Sequence, residues 1–275
     1  MERKTPNTSP NNRTMRAFSS SLLRARGPLL AASGVGAATA LSYYSKTECA
    51  DSPPKVHLRY FKISGVAETI RHVMALGGIE WTESGWPIDF SKFTGPASVP
   101  VAAPLFAASR SAGELAVNMD RAPVIVVDGK FELGQSKTIE RYLARRLGLL
   151  GKDEVEAAQI DAITEHCRDI KDKYQKAKVD KEEKAKFFAE TMPDFMQKMD
   201  KAIGMGATGT TGPPLIGKTL SLADVTLFVF IKDFFDDKEL AANSVAKCPR
   251  LLASLKATGE HPNIVNYRTK RDATK

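Results

Sequence analysis

The 275-residue chain is 43% hydrophobic and 26% charged, with a formal net charge of +8, a balance that excludes a fibrous or wholly disordered chain and allows one large or two small domains. Residues 1–50 hold seven Lys/Arg against two Asp/Glu, so +5 of the charge sits there and the near-balanced remainder argues against a nucleic-acid surface. The three cysteines (Cys49, Cys167, Cys248) form no CxxC pair and the four histidines no zinc motif, so a disulfide framework, a dithiol centre and a metal site are not expected.

Residues 1–54 read as a targeting segment and linker. Met15 to Arg26 is rich in Arg and Ser and holds no acid, which suits a mitochondrial presequence. The apolar stretch 28–44 that follows is short for a membrane span. It is open to three readings: a sorting or anchoring segment, a signal-type apolar region leading to another organelle or the secretory route, or a disordered stretch. Membrane association is expected only through it.

From residue 55 the pattern is that of a folded domain. Val56 to Phe61 is a short strand, Ala67 to Leu76 a helix anchored by Ile70, Val73 and Met74, and Ile79-Glu-Trp81 leads toward a second strand. Strand, helix, strand in this order predicts a parallel βαβ unit. Residues 91–120 are the misfit: rich in Ala, Ser and Pro, they form a long insertion without period, in which Leu105-Phe106 and Glu114 to Val117 are the candidates for local packing. Val124 to Val127 is then a β-branched strand, Asp128-Gly129 a hairpin signal, and Lys130 to Leu133 the return strand. Gly134-Gln135-Ser136 leads into a helix with Ile139, Tyr142 and Leu143 on one face. A helix start attracts a carboxylate through its unpaired N–H groups, although Ser136 is also a common kind of cap.

Beyond Asp153 the pattern is helical. Ile163, Cys167, Ile170 and Tyr174 form a buried stripe, with Asp161, Glu165, Arg168 and Asp172 opposite. The Lys-rich run 171–186 reads as a solvated face. A second helix is expected over about 181–203, kinked or split at Pro193, then a Gly/Thr/Pro loop over 204–214. Ser221 and Asp224 make a capping box ahead of the apolar run Val225 to Ile231.

These stretches together resemble the glutathione transferase family, closest to its sigma class. The matching segments are LRYF at 58–61, GVAETIR at 65–71, APVIVVDGKFELGQS at 122–136, IERYLARRLGLLGKD at 139–153, EAAQIDAI at 156–163 and LSLADV at 220–225. The likeness covers roughly residues 55 to 270. It implies an α/β plus all-α architecture, with a thioredoxin-like N-terminal domain over 55–148 and an all-helical C-terminal domain over 153–270. It implies a detoxification enzyme that conjugates the glutathione thiolate to hydrophobic electrophiles. Glutathione is the co-substrate, no metal takes part, and two subunits form a homodimer.

The resemblance also implies roles for individual residues. Tyr60 would donate to the thiolate, where the default is a strand tyrosine with its ring in the core; Ser64 is the alternative donor. Trp86 would close one side of the ligand cleft, or be an ordinary half-buried aromatic. Pro123 would follow a cis bond, so that Ala122 presents its backbone to the peptide. Gln135 and Ser136 would hold the γ-glutamyl end. Asp169 would reach across the dimer to the α-amino group of the partner's glutathione, or be one more surface acid. One departure is Val66, which stands where sigma-like members carry an Arg that supports the thiolate. With the insertion, it favours the alternative of a weakly active or non-catalytic binder of glutathione or hydrophobic ligands. A glutathione-dependent isomerase or peroxidase is a further alternative.

Overall fold

The computed structural model describes residues 52–205 and 212–274. The targeting reading of residues 1–54 therefore lies outside the described residues except at its last three positions. Among the described residues no helix is long and apolar enough to cross a membrane.

Strand β1 (Val56–Phe61) alternates buried and half-buried positions, with Val56, Leu58 and Tyr60 inward. It lies at the centre of a four-stranded sheet of order β2-β1-β3-β4, formed with β2 (Trp81–Trp86), β3 (Val124–Val127) and β4 (Phe131–Gly134). The β1–β2 pair is parallel and sets Tyr60 opposite Gly85, as the strand–helix–strand pattern predicts. The other two pairs are antiparallel. The return strand starts one residue later than expected, because Lys130 belongs to the turn and donates its N–H to the Val127 carbonyl at 3.0 Å.

The crossover helix α1 (Ala67–Leu76) is buried at every position. Sheet and α4 (Ser136–Arg146) enclose one side of it, and the helices α8 (Leu222–Val229) and α11 (Pro262–Asp272) the other. That is why Glu68, Arg71 and His72 are buried despite their polarity.

The insertion is folded. It holds two short helices, α2 (Val99–Ala102) and α3 (Pro104–Ser111), and a 3₁₀ turn at Ala116–Asn118. Phe106 and Leu115 build a small second core with Trp86, Ala103 and Val124. Burying a side chain of that size contributes about 1.5–3 kcal/mol, enough to order a segment whose own sequence has no helical period.

The helical half begins with α5 (Glu154–Ala177), whose buried residues include Ile160, Ile163, Cys167, Ile170 and Tyr174. The second expected helix runs on without a gap: α6 (Lys181–Lys186) passes through a wide π-type turn at Phe187–Thr191 into α7 (Met192–Met205), an irregularity that ends two residues before Pro193. Pro193 has no N–H to donate back into the helical turn before it, which accounts for the break in the α-helical ladder at this place. Helix α8 is buried along its whole length, and α9 (Lys238–Asn243) and α10 (Pro249–Glu260) precede α11. Phe188, Phe234 and Phe235 pack edge-on, and Phe187 tilted, around Tyr174 of α5.

Candidate active site

A cleft of about 350 Å³ opens between the end of β1, the first turn of α4, and helices α5 and α8. Tyr60 reaches it from the sheet; Val66, Lys137, Lys171, Val229 and Phe234 are among its walls. The Tyr60 hydroxyl accepts a hydrogen bond from the Val66 N–H at 3.1 Å, so its own proton is available to a second acceptor. Gly65 makes this approach possible: it sits at φ +47°, and a Cβ there would overlap the Tyr60 hydroxyl. Burial pushes the Tyr60 pKa above the ordinary tyrosine value, against the pull of the Val66 N–H and the Arg71 charge. Tyr60 is thus a neutral donor at neutral pH.

Arg71 fixes the turn beneath that tyrosine. It pairs with Glu83 at 3.0 Å and donates to the carbonyls of Ile63 and Ser64 at 3.0 and 3.2 Å. Its guanidinium lies 5.9 Å from the Tyr60 ring centre. The charge that Val66 does not supply therefore has a neighbour in Arg71, but one already engaged by Glu83 and Glu68. Ser64 faces the same cleft.

Ala122, Pro123, Gln135 and Ser136 lie outside the cleft lining, on a shelf next to Lys137. The Ala122–Pro123 bond is cis, and Val124 pairs with Gly134, which brings the two segments side by side. Ser136 is the first helical residue rather than the cap. Gln135 precedes it at φ +68°, and no side chain caps the helix. The α4 N–H groups are therefore not consumed by a side chain of the helix itself.

One residue that the sequence did not disclose holds the shelf together. Asn118, 4% exposed at the end of the insertion, donates to the carbonyls of Arg121 and Pro123 at 2.9 and 3.0 Å and accepts from the Gln135 N–H at 3.1 Å. Gly134 lies so close that a Cβ there would overlap the Asn118 side chain. A lone Asn in an irregular stretch gives no sequence signal for bonds of this reach.

Trp86 has a different setting from the one the resemblance implies. Its indole is 8% exposed, packed on Phe61 and Phe106 with ring centres 5.7 and 5.1 Å away. Its N–H is donated to Ser109 Oγ at 3.0 Å. The donor is satisfied within the chain, the setting of an ordinary buried aromatic. Asp169 is exposed on α5, away from the cleft lining.

Lys171 corrects the reading of the Lys-rich run as wholly solvated: it is half-buried and lines the cleft, whereas Lys173 and Lys176 are exposed. Cys167 also lines the cleft, but burial pushes its thiol up to about 12, so it is no nucleophile at neutral pH.

At one wall of the cleft, Glu68, His72 and Asp233 converge, Glu68 and Asp233 being part of its lining. Arg271 of α11 pairs with both acids, at 2.6 Å to Glu68 and 3.3 Å to Asp233, and Arg268 pairs with Asp233 at 2.7 Å. With three guanidiniums, those of Arg71, Arg268 and Arg271, already seated on these carboxylates, the cluster reads as a lock between α1 and α11 rather than a cation site.

Comparisons with known proteins agree with this layout. The family model "Glutathione S-transferase, C-terminal domain" matches residues 165–271. A glutathione S-transferase of Dirofilaria immitis is 28% identical over 220 residues, covering 79% of this chain and 94% of its own. The hematopoietic prostaglandin D synthase of Homo sapiens is 27% identical over 238 residues, covering 81% and 99%. Among solved structures, the Pi-class glutathione S-transferase of Onchocerca volvulus superposes with a TM-score of 0.64 at 25% identity, covering 80% of this chain and 94% of that one. With the sheet order, the helical half and the matched motifs, these likenesses support a place for the chain in the glutathione transferase family.

Proposed function

We propose that the protein conjugates glutathione to hydrophobic electrophiles, with Tyr60 as the thiolate donor. The carrying observation is the neutral Tyr60 hydroxyl, held by the Val66 N–H and facing a cleft with apolar walls. A free thiol has a pKa of about 8.5, so the reaction needs a donor that favours the anion. The sulfur lone pair then forms the C–S bond, the leaving group departs with its bonding electrons, and the thiol proton passes to solvent. In this reading the γ-glutamyl carboxylate sits on the Gln135–Ser136 shelf, and Ala122 and Pro123 border the peptide backbone. The full chain should turn over a neutral aryl halide, and Tyr60→Phe should lower kcat by about 10²–10³-fold with little change in glutathione affinity. Unchanged turnover would move the role to Ser64.

Two observations favour a weaker catalyst or a binding member of the family. Val66 brings no charge to the thiolate, and the Trp86 N–H is engaged by Ser109. A low kcat with tight glutathione binding would select this reading.

The sigma-like motifs support a homodimer in which Asp169 serves the partner's glutathione. Asp169→Ala should then weaken binding as much as dilution to monomers does, and tight binding by a monomer would reject the role. The acid-free Arg/Ser segment supports mitochondrial delivery; a reporter fused to residues 1–54 that stayed cytosolic would reject it.

A further inference from the structure

The acceptor side of the cleft carries charge that its apolar walls do not explain. Three cations line it: Lys137, Arg168 and Lys171. Two are matched, Lys137 by Glu140 at 2.9 Å and Arg168 by Glu165 at 2.8 Å. Lys171 joins none of the ion pairs within 4.0 Å among the described residues. Its ammonium instead lies 4.5 Å from the centre of the Phe234 ring.

Most of the acids around it are committed elsewhere. Glu140 is held by Lys137, Asp172 is exposed, and Glu68 and Asp233 are bound by arginines. Burial and the like charge of Lys137 press the Lys171 pKa below the ordinary lysine value. An ammonium desolvated in this way is compensated when an anion settles beside it. The ring of Phe234 and the side chain of Val229 offer an apolar bed next to the same ammonium.

We propose that the acceptor half of the cleft selects electrophiles bearing a carboxylate on an apolar chain, with Lys171 as the specificity-determining residue. This rests on the transferase reading above. The cleft volume of about 350 Å³ falls at the small end of ordinary ligand pockets, so the chain it accepts is short or only partly enclosed.

The test uses the full chain saturated with glutathione and two probes of equal chain length, decanoate and decan-1-ol, titrated by calorimetry. Lys171→Met should weaken decanoate binding by about tenfold, the lower range for losing a hydrogen bond to a charged group, and change decan-1-ol by less than twofold. Lys171→Arg should retain the decanoate affinity. In the wild type, added salt should weaken decanoate and leave decan-1-ol unchanged, a comparison that holds even if a variant fails to fold. Absence of decanoate binding, or an equal loss for both probes, overturns the proposal. If Lys171 served the thiolate instead, Lys171→Met would raise the thiol pKa of bound glutathione, read from its ultraviolet absorbance, without touching decanoate; that result also overturns it. Failure of the transferase reading shows separately, as no conjugation of a neutral aryl halide by a chain that still binds decanoate.

Discussion

Helices α4 and α8 both begin beside a serine, and they use it in opposite ways. At α8, Ser221 stands at the cap and Asp224 reaches back to the Ser221 N–H at 2.9 Å. Asp224 also accepts from Leu215 N–H and Ser254 Oγ at 2.9 and 2.7 Å, so the box is closed on itself and buried. At α4, Ser136 stands inside the helix, no acid occupies the first turn, and Gln135 leaves the cap position without a side-chain acceptor. The same residue type thus marks a closed structural joint where its surroundings satisfy the N–H groups and an open helix start, the proposed ligand shelf, where they do not.

The contrast can be broken at either end. The largest effect is expected at Asp224→Ala, which strands four donors inside the helical core. Each unpaired buried group costs about 1–3 kcal/mol, so urea unfolding should show a loss of several kcal/mol or no folded protein. A variant with wild-type stability would show that the box is ornamental.

Next is the open helix. Gln135→Ala with Ser136→Ala should weaken glutathione binding by about 1.5–3 kcal/mol, the usual cost of losing hydrogen bonds to a charged group, while the unfolding midpoint hardly moves. Calorimetry giving wild-type affinity would remove the shelf from the site. Ser221→Ala should behave in the reverse manner. It should cost about 1 kcal/mol of stability and leave glutathione affinity alone; a change in affinity would mean that the two helix starts are coupled.

The smallest effect concerns the charged lock at the cleft wall. Burial holds the His72 pKa below the ordinary histidine value of about 6.5. Burial also acts to raise the Glu68 pKa, but the charges of His72, Arg271 and Arg71 outweigh it and leave it low. Both groups bind protons more readily in the unfolded chain. Their stabilisation is therefore complete above about pH 6.5 for His72 and above about 4.5 for Glu68, and it is lost on acidification through the folded values. Unfolding midpoints should fall between pH 7.5 and 5.5, and His72→Gln should flatten that slope. An unchanged slope would assign the acid sensitivity elsewhere.

Much of this was legible from local sequence. β1, α1, the Asp128-Gly129 hairpin and the α8 box each carry their signal within a few residues of sequence, and each lies where pattern and capping chemistry indicate. The insertion was not legible, because Phe106 and Leu115 are ordered by Trp86 and Val124, residues far outside their own helical turns. Asn118 escaped for the same reason: its bond to Gln135 spans 17 positions. Lys171 was masked by its neighbours, since five of the lysines around it do face water and only helical phase separates it from them.

Arg271 ties the last helix to Glu68 in the first, across 203 positions of sequence. During synthesis the sheet region emerges well before this partner for its buried carboxylate. Until Arg271 follows, α1 keeps a charged, unclosed flank. A truncation ahead of Arg271 would therefore act at a distance, on the helix that underlies Tyr60.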